Sequence, residues 1–128
     1  MATFLKKDGL IVFSDIIEDP NVDKSDPWMV DYYARYKITN LGNRELYDVS
    51  LKKAGMKKIL AWTDGGQAIT RHFGMQLYSA TVINKENLEG KDGCGKKWLD
   101  YKINGLYTWL DLAGRNMIEE GFFAYKKK

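Results

Sequence analysis

One cysteine, one histidine and two prolines in 128 residues exclude several kinds of chemistry at once. A single thiol cannot close an intrachain disulfide, so no oxidised framework holds this fold together. One Cys and one His cannot build a structural zinc site. A Ser-His-Asp arrangement would have to use His72, and T-R-H-F-G resembles neither a nucleophile elbow nor a metal-binding helix. Apolar runs stay far below the ~20 residues that span a membrane. The opening residues, Met1 to Asp8, lack the apolar centre of a signal peptide, so the sequence reads as made and folded in a cytoplasm. The net charge of +3 is mild. It comes from scattered lysine doublets and the Lys126-Lys127-Lys128 tail, with no nucleic-acid-binding motif beside them.

What the chain does have is aromatic side chains, 13% of the total, in stretches that alternate. From Trp28, every second residue (Trp28, Val30, Tyr32, Ala34, Tyr36, Ile38) is apolar or aromatic, and most of the residues between are polar. That pattern predicts a long half-buried β-strand with Tyr36 and Ile38 inside. Asn40-Leu41-Gly42-Asn43 reads as a turn, and Tyr47, Val49 and Leu51 open a second strand. Further strands are expected at Leu10 to Ile17, Ile59 to Thr63 and Met75 to Ile83. Trp98 to Ile103, Tyr107 to Leu112 and Met117 to Tyr125 complete the set. Asp64-Gly65-Gly66 is a strong turn signal, and both prolines fall in the acidic loop before Trp28. The longest polar, Gly-rich interval is 84–97, with a short helical turn near Lys85 to Leu88. Seven to eight short strands with no convincing long helix predict an all-β fold, an antiparallel β-sandwich forming a single domain over 1–128.

The segment Y-K-I-T-N-L-G-N-R-E-L-Y-D-V-S-L resembles the B-to-C strand passage of bacterial immunoglobulin-like modules of the cell-adhesion-related and fibronectin-like types. The matching residues are Tyr36, Ile38, Asn40, Gly42, Val49 and Leu51, about a fifth of the chain. The resemblance implies an immunoglobulin-like sandwich and carries no catalytic residue with it.

Candidate chemistry is sparse. Asp19, Asp23 and Asp26 are carboxylates of calcium-ligating type, but they lack the spacing and central Gly of an EF-hand loop. Cys94, between two glycines and close to Lys96 and Lys97, is a candidate reactive thiol. Glu119 and Glu120 are adjacent, so on a strand they point apart and cannot form an acid–base pair. No cofactor, metal or enzymatic activity is expected. The surplus of aromatics points instead to contact surfaces, with Tyr33, Trp62, Trp98, Tyr107 and Trp109 as interaction residues. The reading that follows is a structural subunit contacting other protein subunits, as a homo-oligomer or in a bacteriophage virion (tail, neck or capsid decoration). It would be assembled in the host cytoplasm and located in the virion, or else remain cytoplasmic. The alternative is a carbohydrate-binding module that stacks sugars on Tyr33, Trp62, Trp98 and Trp109.

Overall fold

A computed structural model describes residues 4–90 and 95–128. Leu10–Glu18 forms strand β1. In the acidic loop that follows, Asp19 accepts the backbone N–H of Asn21 and Asp23 that of Ser25, so these carboxylates shape turns. Asp26 then accepts the N–H of Trp28 at 2.9 Å, and Pro27 occupies the first turn of helix α1 (Pro27–Tyr36). An acidic N-cap followed by Pro is a strong helix start. The strand expected from Trp28 is therefore a helix, and Tyr36 is 47% exposed.

The same correction applies to the stretch that carried the immunoglobulin-like resemblance. Asn43 caps Leu46 at 2.9 Å and begins helix α2 (Arg44–Lys53), where Tyr47, Val49 and Leu51 had been read as a strand. Gly42 before it is required for space, because a Cβ there would run into the Tyr47 ring. Its carbonyl accepts the N–H of Glu18 at 3.0 Å.

Met56–Thr63 forms β2, and the Asp64-Gly65-Gly66 turn leads into α3 (Gln67–Tyr78). Gly66 sits at φ 81°, and a Cβ there would lie 2.8 Å from the Ala113 carbonyl oxygen, so only glycine fits the turn. Helix α3 continues as a π-helical turn, Ser79–Ile83, where a strand had been expected. Then come the short α4 (Lys85–Glu89) and the long α5 (Lys96–Gly114), and Ile118–Lys127 forms β3. Helix α5 replaces the two strands read between Trp98 and Leu112. Its buried Gly105, Thr108, Trp109, Leu112 and Ala113 make one helical stripe.

The sheet order is β1-β3-β2, with β3 antiparallel to both neighbours, so β1 and β2 run parallel. The chain is α/β, and the all-β immunoglobulin-like sandwich of seven to eight strands is incorrect. Two apolar clusters hold it. Phe13 of β1 and Phe123 and Tyr125 of β3 pack with Met56, beneath Tyr47 and Leu51 of α2. At the carboxyl ends of β1 and β2, Met29 and Tyr32 of α1, Ile69 of α3, and Trp109, Leu112 and Ala113 of α5 form the second cluster with Ile118. No helix among the described residues is long and apolar enough to cross a membrane.

Arg115 ties the end of α5 to the start of α1 through Asp26, at 2.7 and 3.0 Å. These bonds hold the Asp26 carboxyl at about 2; burial opposes them and the Trp28 N–H assists. Its folded value lies below the unfolded one of about 3.9. The contact therefore stabilises fully above that pH and is lost as pH falls toward about 2. Thermal midpoints measured from pH 5 to pH 2 should fall over this window, and less steeply in Arg115→Ala. Parallel curves would show that Asp26 does not carry the acid response.

Candidate functional site

In an open α/β sheet the carboxyl ends of parallel strands are where ligands bind. Here that end is roofed by α1, α3 and α5, and β1 delivers Glu18 to it. Glu18 is 4% exposed and has three partners. The Tyr33 hydroxyl donates to it at 2.5 Å, the Leu41 N–H donates at 3.1 Å, and Lys24 pairs with it at 3.2 Å. Burial, and then the bond to Glu18, push the Tyr33 hydroxyl well above its ordinary pKa.

From Tyr33 a continuous row of rings runs to an open cleft. Tyr33 meets Tyr32 edge-on at 6.4 Å, Tyr32 lies 4.8 Å from Tyr36, and Tyr36 lies 5.7 Å from Trp109. Trp109 then stacks on Phe73 at 4.4 Å. The indole N–H of Trp109 donates to the Tyr36 hydroxyl at 2.6 Å. The cleft at the far end, about 220 Å³, is walled by Tyr36, Phe73, Gln76, Tyr101, Leu106 and Trp109.

A polar clamp fixes α1 on α5 beside this cleft. Asp31 accepts from Arg35 and from the Thr108 hydroxyl, both at 2.6 Å. Arg35 also donates to the Tyr101 carbonyl at 2.9 Å and lies over the Tyr101 ring. Burial acts to raise the Asp31 pKa, but the bonds from Arg35 and Thr108 outweigh it and hold the carboxyl below its usual range.

The five aromatics chosen from the sequence do not form one surface. Trp109 is buried at the centre of the helical roof, and Tyr33 is half-buried against Glu18. Both had been placed outward on a strand, and both face inward on helices. Trp62, Trp98 and Tyr107 are exposed; Trp62 is on β2 and the other two are on α5. His72 lies on α3 against Gln76 and Phe73. Cys94 lies outside the described residues. Among those residues, no group of three or more His, Cys, Asp or Glu is placed to hold a metal ion. Glu18 and Phe73 were not singled out, and Tyr32 and Tyr36 were read as inward-facing residues of a strand. The Asp26-Pro27 helix start, with Met29, Tyr32, Tyr33 and Tyr36 at helical spacing, is the signal that would have put Tyr32, Tyr33 and Tyr36 on a helix and led through Tyr33 to Glu18 at the end of β1.

No protein-family model matches this sequence, and no curated protein matches it. Solved structures do. A Galdieria sulphuraria protein described as a sarcosine dimethylglycine methyltransferase superposes with a TM-score of 0.84 at 17% identity. The match covers 99% of this chain and 44% of that one. A cyclopropane synthase from Mycobacterium tuberculosis gives 0.79 at 12% identity, over 98% of this chain and 47% of that one. A phosphoethanolamine N-methyltransferase from Haemonchus contortus gives 0.74 at 16% identity, over 98% and 28%. The chain has the fold of the matching portion of these proteins and spans less than half the length of each.

This likeness overturns the resemblance to bacterial immunoglobulin-like, fibronectin-like and bacteriophage virion modules. It also overturns the structural-subunit reading and the carbohydrate-binding alternative, which came from the surplus of aromatics, and the expectation of no enzymatic role, which came from the sparse candidate chemistry. The neighbours are methyltransferase-type folds.

Proposed function

We propose that this chain is the acceptor-binding portion of a methyl-transfer enzyme. The observation that carries the reading is the superposition of nearly the whole chain on such enzymes, with an aromatic cleft walled by α1, α3 and α5. The Haemonchus contortus structure was solved with phosphomonomethylethanolamine and S-adenosylhomocysteine, so that protein takes an amine acceptor and a demethylated donor. In this chain the faces of Tyr36, Phe73 and Trp109 suit the apolar or cationic surface of an acceptor. The bonds that Arg35 and Thr108 donate to Asp31 keep that wall in place.

The donor is a different matter, because the residues present do not fit it. An adenosyl donor in an α/β fold is expected at a glycine-rich strand-to-helix turn. The turn after β1 contains no glycine, and no strand here is followed by Gly-x-Gly-x-x-Gly. After β2, Asp64 itself accepts the N–H groups of Gly66 at 2.9 Å and Ala68 at 2.5 Å. Asp64 therefore already occupies N–H groups that a ligand would use at that helix start. The donor, bound elsewhere, would supply the methyl group; this chain's part is to bind and orient the acceptor.

Titrating phosphoethanolamine, dimethylglycine and geranyl diphosphate while following tryptophan emission tests this. One of the three should perturb Trp109, the tryptophan buried in the roof. Tyr36→Ala, at a half-exposed wall position, should weaken that binding more than tenfold without unfolding the chain. If no acceptor changes the emission, or Tyr36→Ala binds as well as the parent, the reading fails.

A further inference from the structure

A second cleft, of about 430 Å³, opens at the amino end of β2, between α2, β2 and the end of β3. Lys52 lines it from the last turn of α2, Lys57 and Lys58 from the start of β2, and Lys128 from the residue after β3. Asp48 is the one acid among the lining residues, and it is already committed. The Tyr125 hydroxyl donates to it at 2.5 Å, and Lys58 pairs with it at 2.5 Å. The ammonium groups of Lys52, Lys57 and Lys128 form no ion pair among the described residues.

The backbone gathers these three cations. Only Ala54 and Gly55 separate α2 from β2, and Gly55 takes the turn at φ 78°. Its N–H donates to the Lys52 carbonyl at 3.0 Å, and its own carbonyl accepts the Lys128 N–H at 3.1 Å. Lys52, Lys57 and Lys128 are thus held around one glycine. The negative pole of α2 accounts for Lys52, but Lys57 and Lys128 belong to no helix end. Cations that converge on a hollow with low-dielectric walls concentrate a positive field inside it.

The shape and the lining select the anion. The volume lies within the roughly 300–1,000 Å³ of small-molecule pockets. Tyr125, the one ring in the lining, is buried, so a single-stranded nucleic acid finds no stacking platform here. Val49, 51% exposed, and the methylene stems of the lysines give the cleft an apolar wall. Lysine binds phosphate as a point charge. A phosphate monoester carries about −1.5 to −2 at neutral pH, enough to engage more than one ammonium group.

We infer that this cleft binds a small organic phosphate monoester, with its phosphate among Lys52, Lys57 and Lys128 and its carbon skeleton against Val49 and the lysine stems. No residue of this cleft lines the aromatic one, so the inference stands apart from the methyl-transfer reading.

The probe is 1-naphthyl phosphate, titrated into the full chain by calorimetry at physiological salt. It should bind saturably at one site, more than tenfold more tightly than inorganic phosphate. Lys52→Ala/Lys57→Ala should weaken it more than tenfold with the unfolding midpoint unchanged, since both side chains are exposed. Lys6→Ala/Lys7→Ala, which removes the same charge elsewhere, and Tyr36→Ala, in the aromatic cleft, should leave it intact. The absence of saturable binding overturns the inference. Equal weakening by the two lysine pairs overturns it as well, because the attraction is then diffuse. Inorganic phosphate binding as tightly as the probe means an adventitious ion only. Loss of binding in Tyr36→Ala places the probe in the aromatic cleft. Retention on phosphatidylserine vesicles that depends on Lys52 and Lys57 makes the patch a membrane surface. Each of these three results also sinks the inference.

Discussion

Trp109→Ala should lose about 3–5 kcal/mol of stability, the range for deleting a large buried aromatic. Trp109 is 8% exposed and joins all three roof helices. It touches Tyr32 edge-on at 4.9 Å and stacks on Phe73 at 4.4 Å, and its indole N–H reaches the Tyr36 hydroxyl. Its removal opens a cavity bounded by rings from α1 and α3, and those rings cannot collapse inward without moving whole helices. Against a total of about 5–15 kcal/mol for a typical domain, the loss is large. Trp109→Phe keeps most of the packing and forfeits the hydrogen bond, so it should fall between the variant and the parent. Urea unfolding measures both. A loss below about 1 kcal/mol for the alanine variant would mean that Trp109 lines the cleft without holding the roof.

The second large effect belongs to Glu18. In Glu18→Ala the Tyr33 hydroxyl and the Leu41 N–H lose their acceptor, and Lys24 loses its partner. Lys24 is half-exposed and returns to water, so its contribution is small. The other two donors meet a charged acceptor in a half-buried site, where losing it should cost about 2–4 kcal/mol in all. Glu18→Gln keeps an acceptor oxygen in place, so it should recover more than half of that loss. If the two variants unfold at the same denaturant concentration, the contacts of Glu18 are energetically idle.

Strands with strong local chemistry could be read directly. Leu10 to Ile17, Ile59 to Thr63 and Met117 to Tyr125 were expected as strands, and the structure has β1, β2 and β3 over nearly those residues. The helices were missed because their aromatics satisfy two periods at once. Between Trp28 and Tyr36, alternation selects Trp28, Val30, Tyr32 and Tyr36, while a helical stripe selects Met29, Tyr32, Tyr33 and Tyr36. The tie is broken by end signals, and Asp26-Pro27 and Asn43 are such signals. The site followed the same fate. Tyr33 was found but turned outward, and Glu18 was passed over because its three partners come from residues 24, 33 and 41, which meet only once α1 and the loop after it have folded.

The middle strand of the sheet is the last element of the described chain, and that order has a consequence for synthesis. Leu10 pairs with Lys126, and Met56 pairs with Lys127. Until residues 118–127 have emerged, β1 and β2 have no strand between them, and the apolar residues of both wait exposed. Long-range pairings of this kind raise contact order and slow folding. A nascent chain stalled before Ile118 would therefore be a helical collapse with two loose, sticky strands, the kind of intermediate that chaperones hold.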